Sequence, residues 1–319
     1  VDNSIRNASS SGGAVSTLLS SLLHSGKVEK ALIVRPSSGR AYRAETSFVS
    51  DVAGCLSASR SWYLPFSMEN AVRELQEVEG RCAVVGLPCH IQAWRKAAET
   101  FPDITRKITV HIGLFCSHVV DVRFWRLLLR LSGIPPDRVR RISFRGRGWP
   151  GSIRVELEEG KVRTIPYDHA LRKLLWKIYI YTPRRCLMCY DFTSEFSDVS
   201  VGDAWLPEFK HDRSGRNTVI VRSRIGEEVC REAVDSGNLY LEPIEAEKLQ
   251  RSQRFDHIMK KRDIGARYNL LRSIGLRVPS IGTDHPKPSP AGYLYGTAFL
   301  VVNHISNRGW FEFLTRLLP

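Results

Sequence analysis

Seven cysteines punctuate the chain: Cys55, Cys82, Cys89, Cys116, Cys186, Cys189 and Cys230. Cys186 and Cys189 form a C-x-x-C pair, close enough to grip one metal centre from a single turn of backbone. One such pair cannot complete a four-thiolate site, so other ligands must come from elsewhere. Two more cysteines stand at turn positions, Cys89 in Gly86-Leu87-Pro88-Cys89-His90-Ile91-Gln92 and Cys116 in Phe115-Cys116-Ser117-His118. Cys82 and Cys230 read as core residues, on a buried strand and an amphipathic helix, and Cys55 stays undecided. Spacing alone leaves three readings of Cys89, Cys116, Cys186 and Cys189 open: unrelated buried thiols, a zinc site, or an iron–sulfur cluster. Two ligands arriving singly and two from a C-x-x-C suit a cubane [4Fe–4S] cluster better than the paired knuckles of structural zinc. The odd cysteine count and the lack of a visible export signal argue against a disulfide framework and for a reduced, cytoplasmic protein.

The elements that must carry these residues follow from periodicity. Residues 1–13 read as a loop ending in Ser9-Ser10-Ser11-Gly12-Gly13, and 14–25 as a helix with Val15, Leu18, Leu19, Leu22 and Leu23 on its apolar face. A Ser/Gly loop running into a helix N-terminus presents free backbone N–H groups, a weak signal for a phosphate cradle and equally an ordinary cap. Strands are expected at 31–34, 82–86, 108–114, 142–144, 198–202 and 218–222, with a hairpin at 153–165. Helices are expected from Ser67 to about Val78 (Met68, Ala71, Val72 and Leu75 inward), at 91–100, at 122–131 (Phe124, Leu128 and Leu131 inward), at 169–181 and at 226–236 (Val229, Cys230 and Val234 inward). In this reading Cys89 and Cys116 each sit just past a strand end, where α/β sheets gather ligands. The charged stretch 244–275 reads as helical, 279–290 as a Pro-rich linker, and 291–319 as an apolar helix with Val301, Val302, Ile305, Trp310, Phe311, Phe313 and Leu314, docking on the body or on a partner.

The 319 residues carry a net charge of +14. Either the surface is basic without a dedicated partner, or the partner is anionic. No helix-turn-helix, zinc-finger or RNA-recognition signature is present, which favours a phosphate-bearing small molecule or a protein over nucleic acid. Arginines are densest at Arg138, Arg140, Arg141, Arg145, Arg147 and Arg154. Arg145 and Arg147 flank Gly146 ahead of Trp149, a turn that can meet phosphate or carboxylate, or remain a solvated basic turn. No run reaches the ~18 apolar residues of a membrane span. The chain opens on Val1 inside a polar segment, and residues upstream are expected.

In order, four stretches carry a resemblance: Ala8–Gly13 with its helix and Gly26-Lys27-Val28; Gly86–Gln92; Gly113-Leu114-Phe115-Cys116; and Arg185–Asp191 leading to Ser197–Asp203. The chain resembles the family of beta subunits of coenzyme F420 hydrogenases and dehydrogenases over roughly residues 4–277. The resemblance implies FAD beside a [4Fe–4S] cluster, with electrons passing between a hydride carrier, often coenzyme F420, and one-electron centres. It implies Cys89, Cys116, Cys186 and Cys189 as cluster ligands, Ser10, Ser11, Gly12 and Gly13 near the flavin or its phosphates, and Pro88, His90 and Gln92 lining the flavin pocket. His90 stands where the family often has Gln. Asp198, Gly202 and Asp203 fall on the strand after C-x-x-C, expected to face the flavin, with Asp203 reading equally as a turn or cap acid, while Arg145, Arg147 and Trp149 are candidates for the FAD phosphates or the anionic tail of the deazaflavin.

The expected fold is α/β, mixed sheets flanked by helices with a C-terminal helical extension. Residues 1–95 and 96–278 are expected as two segments of one domain, followed by a linker and helix over 279–319. The expected function is a flavin- and cluster-dependent oxidoreductase subunit serving F420 or a similar carrier and a hydrogenase-, dehydrogenase- or heterodisulfide-reductase-like partner. The alternative is a non-enzymatic electron-transfer or zinc-stapled adaptor.

Overall fold

The computed structural model describes residues 3–39, 41–146, 148–280 and 286–316. Nine strands are described: β1 (Lys30–Pro36), β2 (Ala44–Val49), β3 (Cys82–Gly86), β4 (Ile108–Leu114), β5 (Val139–Ser143), β6 (Ser152–Leu157), β7 (Val162–Pro166), β8 (Val199–Asp203) and β9 (Asn217–Val221). Six form one sheet in the order β2-β1-β3-β4-β8-β9. Its centre, β1-β3-β4-β8, is parallel, and each edge strand is antiparallel to its neighbour. Parallel strands need both faces covered. The helices Ala14–His24 and Arg224–Asp235 cover one face, and Glu69–Glu77 and Pro88–Thr100 the other. The sheet takes strands from both sides of residue 95. A second sheet, β5-β6-β7, packs with the helices Val122–Leu131 and Ala170–Lys177 around Phe124, Trp125 and Phe144.

The expected mixed α/β class with a C-terminal helical extension is what the chain adopts. The differences lie at stripe margins and in short elements. Asn3–Ala8 is a helix rather than loop, and β2 with the helix Val52–Ser57 fills a region for which no element was expected. Val72, Leu131 and Val234, expected inward, are 44%, 43% and 39% exposed. At 100° per residue Val72 and Val234 lie on the flanks of their apolar stripes, whereas Leu131 falls within its stripe but is the last residue of its helix.

The helix expected through Tyr181 stops at Lys177. Tyr179 and Tyr181 then take left-handed backbone, φ 59° and 52°, and both rings are buried. Non-glycine residues enter that region at a cost of roughly 1–2 kcal/mol each, and buried aromatic packing offsets it here. The two left-handed residues turn the chain into the C-x-x-C segment.

The charged stretch 244–275 breaks into the helices Ala246–Ser252 and Arg254–His257, a π-turn at Ile258–Arg262 and the helix Ile264–Ser273. The C-terminal extension is two helices, Pro290–Ser306 and Gly309–Arg316.

Candidate functional site

Strands β3 and β4 run side by side with Gly86 opposite Gly113, so Cys89 and Cys116 leave the sheet from the same edge. The helix after β3 begins at Pro88, whose fixed φ suits a first turn, and Cys89 sits within that turn rather than before it. The C-x-x-C segment is laid across β4. Cys116 donates its backbone N–H to Phe192 O at 3.0 Å, and Phe115 donates to Val201 O at 2.9 Å. A methyl group on Gly113 would collide with the Ser194 side chain, and one on Gly202 with the Phe115 ring. Both positions need glycine because backbone and neighbour touch.

Cys89, Cys116, Cys186 and Cys189 come together. Cys186 and Cys189 act electrostatically on both Cys89 and Cys116, and Cys89 acts on Cys116. All four are partly exposed, whereas Cys55, Cys82 and Cys230 are buried elsewhere. Burial raises the Cys55, Cys82 and Cys230 thiols to about 11, 12 and 11. Burial also raises Cys89, Cys116 and Cys186, against the pull of the Lys260 ammonium. Thiols held this way keep their protons until a metal displaces them. Among the described residues no group of three or more His, Cys, Asp or Glu side chains is gathered tightly enough for a single metal ion.

Three residues with no signal in the sequence hold the segment in place. Lys260, 2% exposed, donates to Cys116 O at 2.7 Å, to Asp191 O at 2.9 Å and to Cys189 Sγ at 3.3 Å. Burial opposes its charge, but the Cys116 and Cys189 sulfurs outweigh burial and raise it to about 12. Arg267 donates to Leu187 O at 2.7 Å, and Tyr268 to Met188 O at 2.8 Å. A lysine and an arginine in a charged helical stretch look like solvated surface; only their burial distinguishes them.

Gln92 reaches this segment from the helix Pro88–Thr100, donating to Asp191 Oδ2 at 3.1 Å. Pro88 is buried at the start of that helix. The His90 ring lies 5.1 Å from the Phe66 ring, and burial with the Arg185 charge lowers it to about 4, so it is neutral. Asp198 has a structural set of partners. It accepts from His111 N at 2.8 Å, Arg95 at 3.0 Å and Ser223 Oγ at 2.7 Å, so its carboxylate is occupied within the protein.

A second cluster forms past the end of β8. Arg145, 4% exposed, ion-pairs with Asp203 through two nitrogens and donates to Ser10 O at 2.9 Å and Pro150 O at 3.2 Å. Its guanidinium lies 4.7 Å from the Tyr167 ring and 5.5 Å from Trp205. Trp149 is 4.7 Å from Trp205. Ser10, Ser11, Gly12, Gly13, Arg145, Trp149 and Asp203 therefore share one neighbourhood, and Arg147 lies outside the described residues. Much of the Ser/Gly loop is engaged by the chain itself: Ser11 Oγ donates to Arg216 O at 2.9 Å, and Asn217 Oδ1 accepts the first helix N–H, Ala14 N, at 3.1 Å. Two buried polar atoms there, Ser9 Oγ and Trp149 Nε1, have no partner among the described residues. Buried donors of that kind call for a ligand or water. Gln253, also without a sequence signal, donates to Asp203 O and joins this cluster to the helical stretch that carries Lys260.

Family models described as coenzyme F420 hydrogenase/dehydrogenase beta subunit match this chain, the N-terminal model over residues 1–73 and the C-terminal model over residues 79–247. The chain is 27% identical over 222 residues to an F(420)H(2) dehydrogenase subunit of Methanosarcina mazei, covering 69% of this chain and 57% of that protein. It is 27% identical over 267 residues to the coenzyme F420-dependent sulfite reductase of Methanocaldococcus jannaschii, covering 79% and 39%. It is 26% identical over 257 residues to coenzyme F420 hydrogenase subunit beta of Methanothermobacter thermautotrophicus, covering 77% and 83%. The chain thus spans about half the length, or less, of the first two relatives. A chain of the F420-reducing [NiFe] hydrogenase complex from Methanosarcina barkeri superposes with a TM-score of 0.67 at 21% identity, over 88% of this chain and 93% of that one, and shares its fold.

Proposed function

Because the chain belongs to the family of coenzyme F420 hydrogenase/dehydrogenase beta subunits, we propose that it is a redox subunit holding a [4Fe–4S] cluster and FAD, and exchanging hydride with F420 or a similar carrier. The observation that carries this reading is the convergence of Cys89, Cys116, Cys186 and Cys189 from three separate segments, with Lys260 bonded to the segment that holds two of them. Four thiolates are the ligand set of a cubane, and their charge asks for a nearby cation. Lys260 supplies that cation from a buried position, together with an N–H donor to Cys189 Sγ.

The unpartnered Ser9 Oγ and Trp149 Nε1 suit the FAD side of the site. The Ser10–Gly13 loop, Trp149 and Gly202 would line it, with Pro88, His90 and Gln92 nearer the cysteines. Arg145 acts there as a brace, its guanidinium spent on Asp203, Ser10 and Pro150, which keeps the loop in position rather than free to meet a phosphate. Asp198 braces the strand behind the site in the same way. Flavin held beside the Ser10–Gly13 loop would supply hydride and single-electron chemistry, and a cluster held by Cys89, Cys116, Cys186 and Cys189 would supply a one-electron centre. The chain's own part is to fix the two cofactors relative to each other. The partner is a redox subunit of a hydrogenase-, dehydrogenase- or heterodisulfide-reductase-like assembly, and the setting is cytoplasmic. The division at 1–95, 96–278 and 279–319 belongs to this reading.

Anaerobic purification tests it. The expected product carries flavin absorption and about four iron atoms per chain, and Cys116→Ser loses the iron while keeping its secondary structure. Zinc in place of iron, or full iron in Cys116→Ser, would overturn the cluster assignment. Reduction of the bound flavin by reduced F420 and by NADPH, compared side by side, identifies the carrier.

A further inference from the structure

The helices Pro290–Ser306 and Gly309–Arg316 carry apolar residues on two sides, and only one side is covered. The inner side meets the body through Phe299, Val302 and Phe311, and Gly292 and Gly296 let the first helix close on Asp263 and Arg267. Both helices bond to Tyr181, Ser306 Oγ at its backbone N–H at 3.1 Å and Thr315 Oγ1 at its hydroxyl at 3.3 Å, so their outer sides adjoin. On those outer sides Leu294, Tyr295, Val301, Trp310, Phe313 and Leu314 are each at least 50% exposed. Among the described residues eleven large apolar side chains reach that exposure, and six of them lie in these two helices. Single exposed apolar residues are ordinary on a protein surface, whereas a concentration of this kind marks a face that something covers.

Along the first helix Leu294, Ala298, Val301 and Ile305 are all exposed and recur at helical spacing, which makes one apolar stripe on the outer side. The helix has no Asp, Glu, Lys or Arg anywhere in its 17 residues. A helix that is apolar all round is stable only when both sides are covered. It is too short and too firmly docked along one side to cross a bilayer, but it is placed to lie along one.

Charge selects the occupant. Lys287 precedes the first helix, Arg308 stands in the turn between the two, and Arg316 ends the second. Glu312 is the one acid over residues 286–316, and Arg316 engages it at 2.6 Å. Lys287 and Arg308 are exposed and have no acidic partner among the described residues; the Arg308 guanidinium meets the His304 ring at 2.7 Å. A second copy of a chain of net charge +14 would bring like charge to this rim. A bilayer with anionic headgroups answers both features, acyl chains for the apolar stripe and phosphates for the cations. Tyr295 and Trp310 add amphipathic rings, which favour the level of the headgroups.

We propose that the outer side of these two helices rests on an anionic lipid bilayer, with Leu294, Val301, Phe313 and Leu314 below the headgroups and Lys287 and Arg308 at the level of the phosphates. Attachment is peripheral, and the inner contacts set how the body stands on the surface. Phe299 on Tyr179 and Asn303 on the Thr182 carbonyl tie the docked helix to the turn that leads into C-x-x-C. The docking face stands on these observations and not on the redox reading above.

Flotation of the full chain with vesicles of phosphatidylcholine alone, and of phosphatidylcholine mixed with phosphatidylglycerol, tests the proposal. The expected result is binding to the mixed vesicles, weaker binding to the neutral ones, and a partition coefficient about tenfold lower in Leu294→Ser/Phe313→Ser. The control Phe101→Ser/Tyr240→Ser removes two equally exposed apolar side chains from other parts of the surface and binds as the wild type does. Brominated phosphatidylcholine in the mixed vesicles quenches a share of the tryptophan emission that disappears in Trp310→Phe, a readout that needs no disruptive variant. Thermal melts confirm that each variant is folded. Equal binding to neutral vesicles, equal losses in both double variants, or no quenching of Trp310 overturns the proposal. A wild-type dimer in light scattering that Leu294→Ser/Phe313→Ser splits overturns it in favour of a second copy, and a monomer that floats with neither vesicle overturns it in favour of a protein partner.

Discussion

Lys260 has the most to lose at the scale of single residues. A buried ammonium is costly unless its donors are used, and all three of its bonds go to the cysteine-bearing segments. Lys260→Met keeps the stem's volume and removes charge and donors together. With a cluster in place, the expected result is a more negative midpoint potential, since a compensating charge and an N–H···S bond are both gone. A redox titration against the wild type measures it, and an unchanged potential in a fully iron-loaded variant would remove Lys260 from the tuning role. Arg145 illustrates the opposite outcome: arginine beside glycine and tryptophan resembles a phosphate contact in sequence, but in the fold its donors are occupied by Asp203, Ser10 and Pro150.

Between elements, Asp198 is the principal tie. It leads into β8 and joins β4 through His111 N, the helix Pro88–Thr100 through Arg95, and the helix Arg224–Asp235 through Ser223. Burial alone would raise its pKa, but the bonds to His111, Ser223 and Arg95 prevail and lower it from 3.8 to about 2. A carboxylate with a depressed folded value stabilises fully above its unfolded value and loses that stabilisation as pH falls through the folded one. The window is therefore pH 3.8 down to about 2, and the contribution is about 2 kcal/mol. Urea unfolding across this range shows a steep fall for the wild type and a shallower one for Asp198→Asn. Equal slopes would mean that the carboxylate's charge does not hold these elements together.

For the whole molecule, the C-terminal helices and the charge distribution matter most. The extension docks through polar side chains as well as apolar ones. Asn303 donates to Thr182 O, Ser306 Oγ accepts from Tyr181 N at 3.1 Å, and Phe299 packs 4.5 Å from Tyr179. These contacts hold the left-handed turn that leads into C-x-x-C. Of the apolar set expected to dock, Val302 and Phe311 pack against the core around Phe124, Trp125 and Tyr181, whereas Val301, Ile305, Trp310, Phe313 and Leu314 remain exposed. Asn303→Ala leaves the Thr182 carbonyl buried without that donor, and the expected loss of stability is about 1–3 kcal/mol. Denaturant midpoints measure it, and a neutral result would show that the extension does not support the turn. The +14 charge is unevenly placed. The arginine-rich second sheet is partly neutralised, with Arg138 on Glu159 at 3.2 Å and Arg140 on Glu156 at 3.3 Å, whereas the Arg251 and Arg254 side chains have no ion pair among the described residues. No described helix is long and apolar enough to cross a membrane.

By itself the sequence determined the local matters. Apolar periodicity placed the parallel strands and most of their helices, and the glycine-proline and cysteine punctuation marked the edge from which Cys89 and Cys116 leave. The resemblance supplied the grouping of four thiols that spacing had left open. Only the tertiary structure decided which charged groups are buried and what they hold. Lys260, Arg267 and Gln253 sit in a stretch whose composition reads as solvated surface, and nothing local separates Lys260 from Lys261 until the π-turn sends one inward and the other to Tyr190. The reason is physical: periodicity records the average polarity of a face, whereas the worth of one charge depends on the partners that distant segments bring to it.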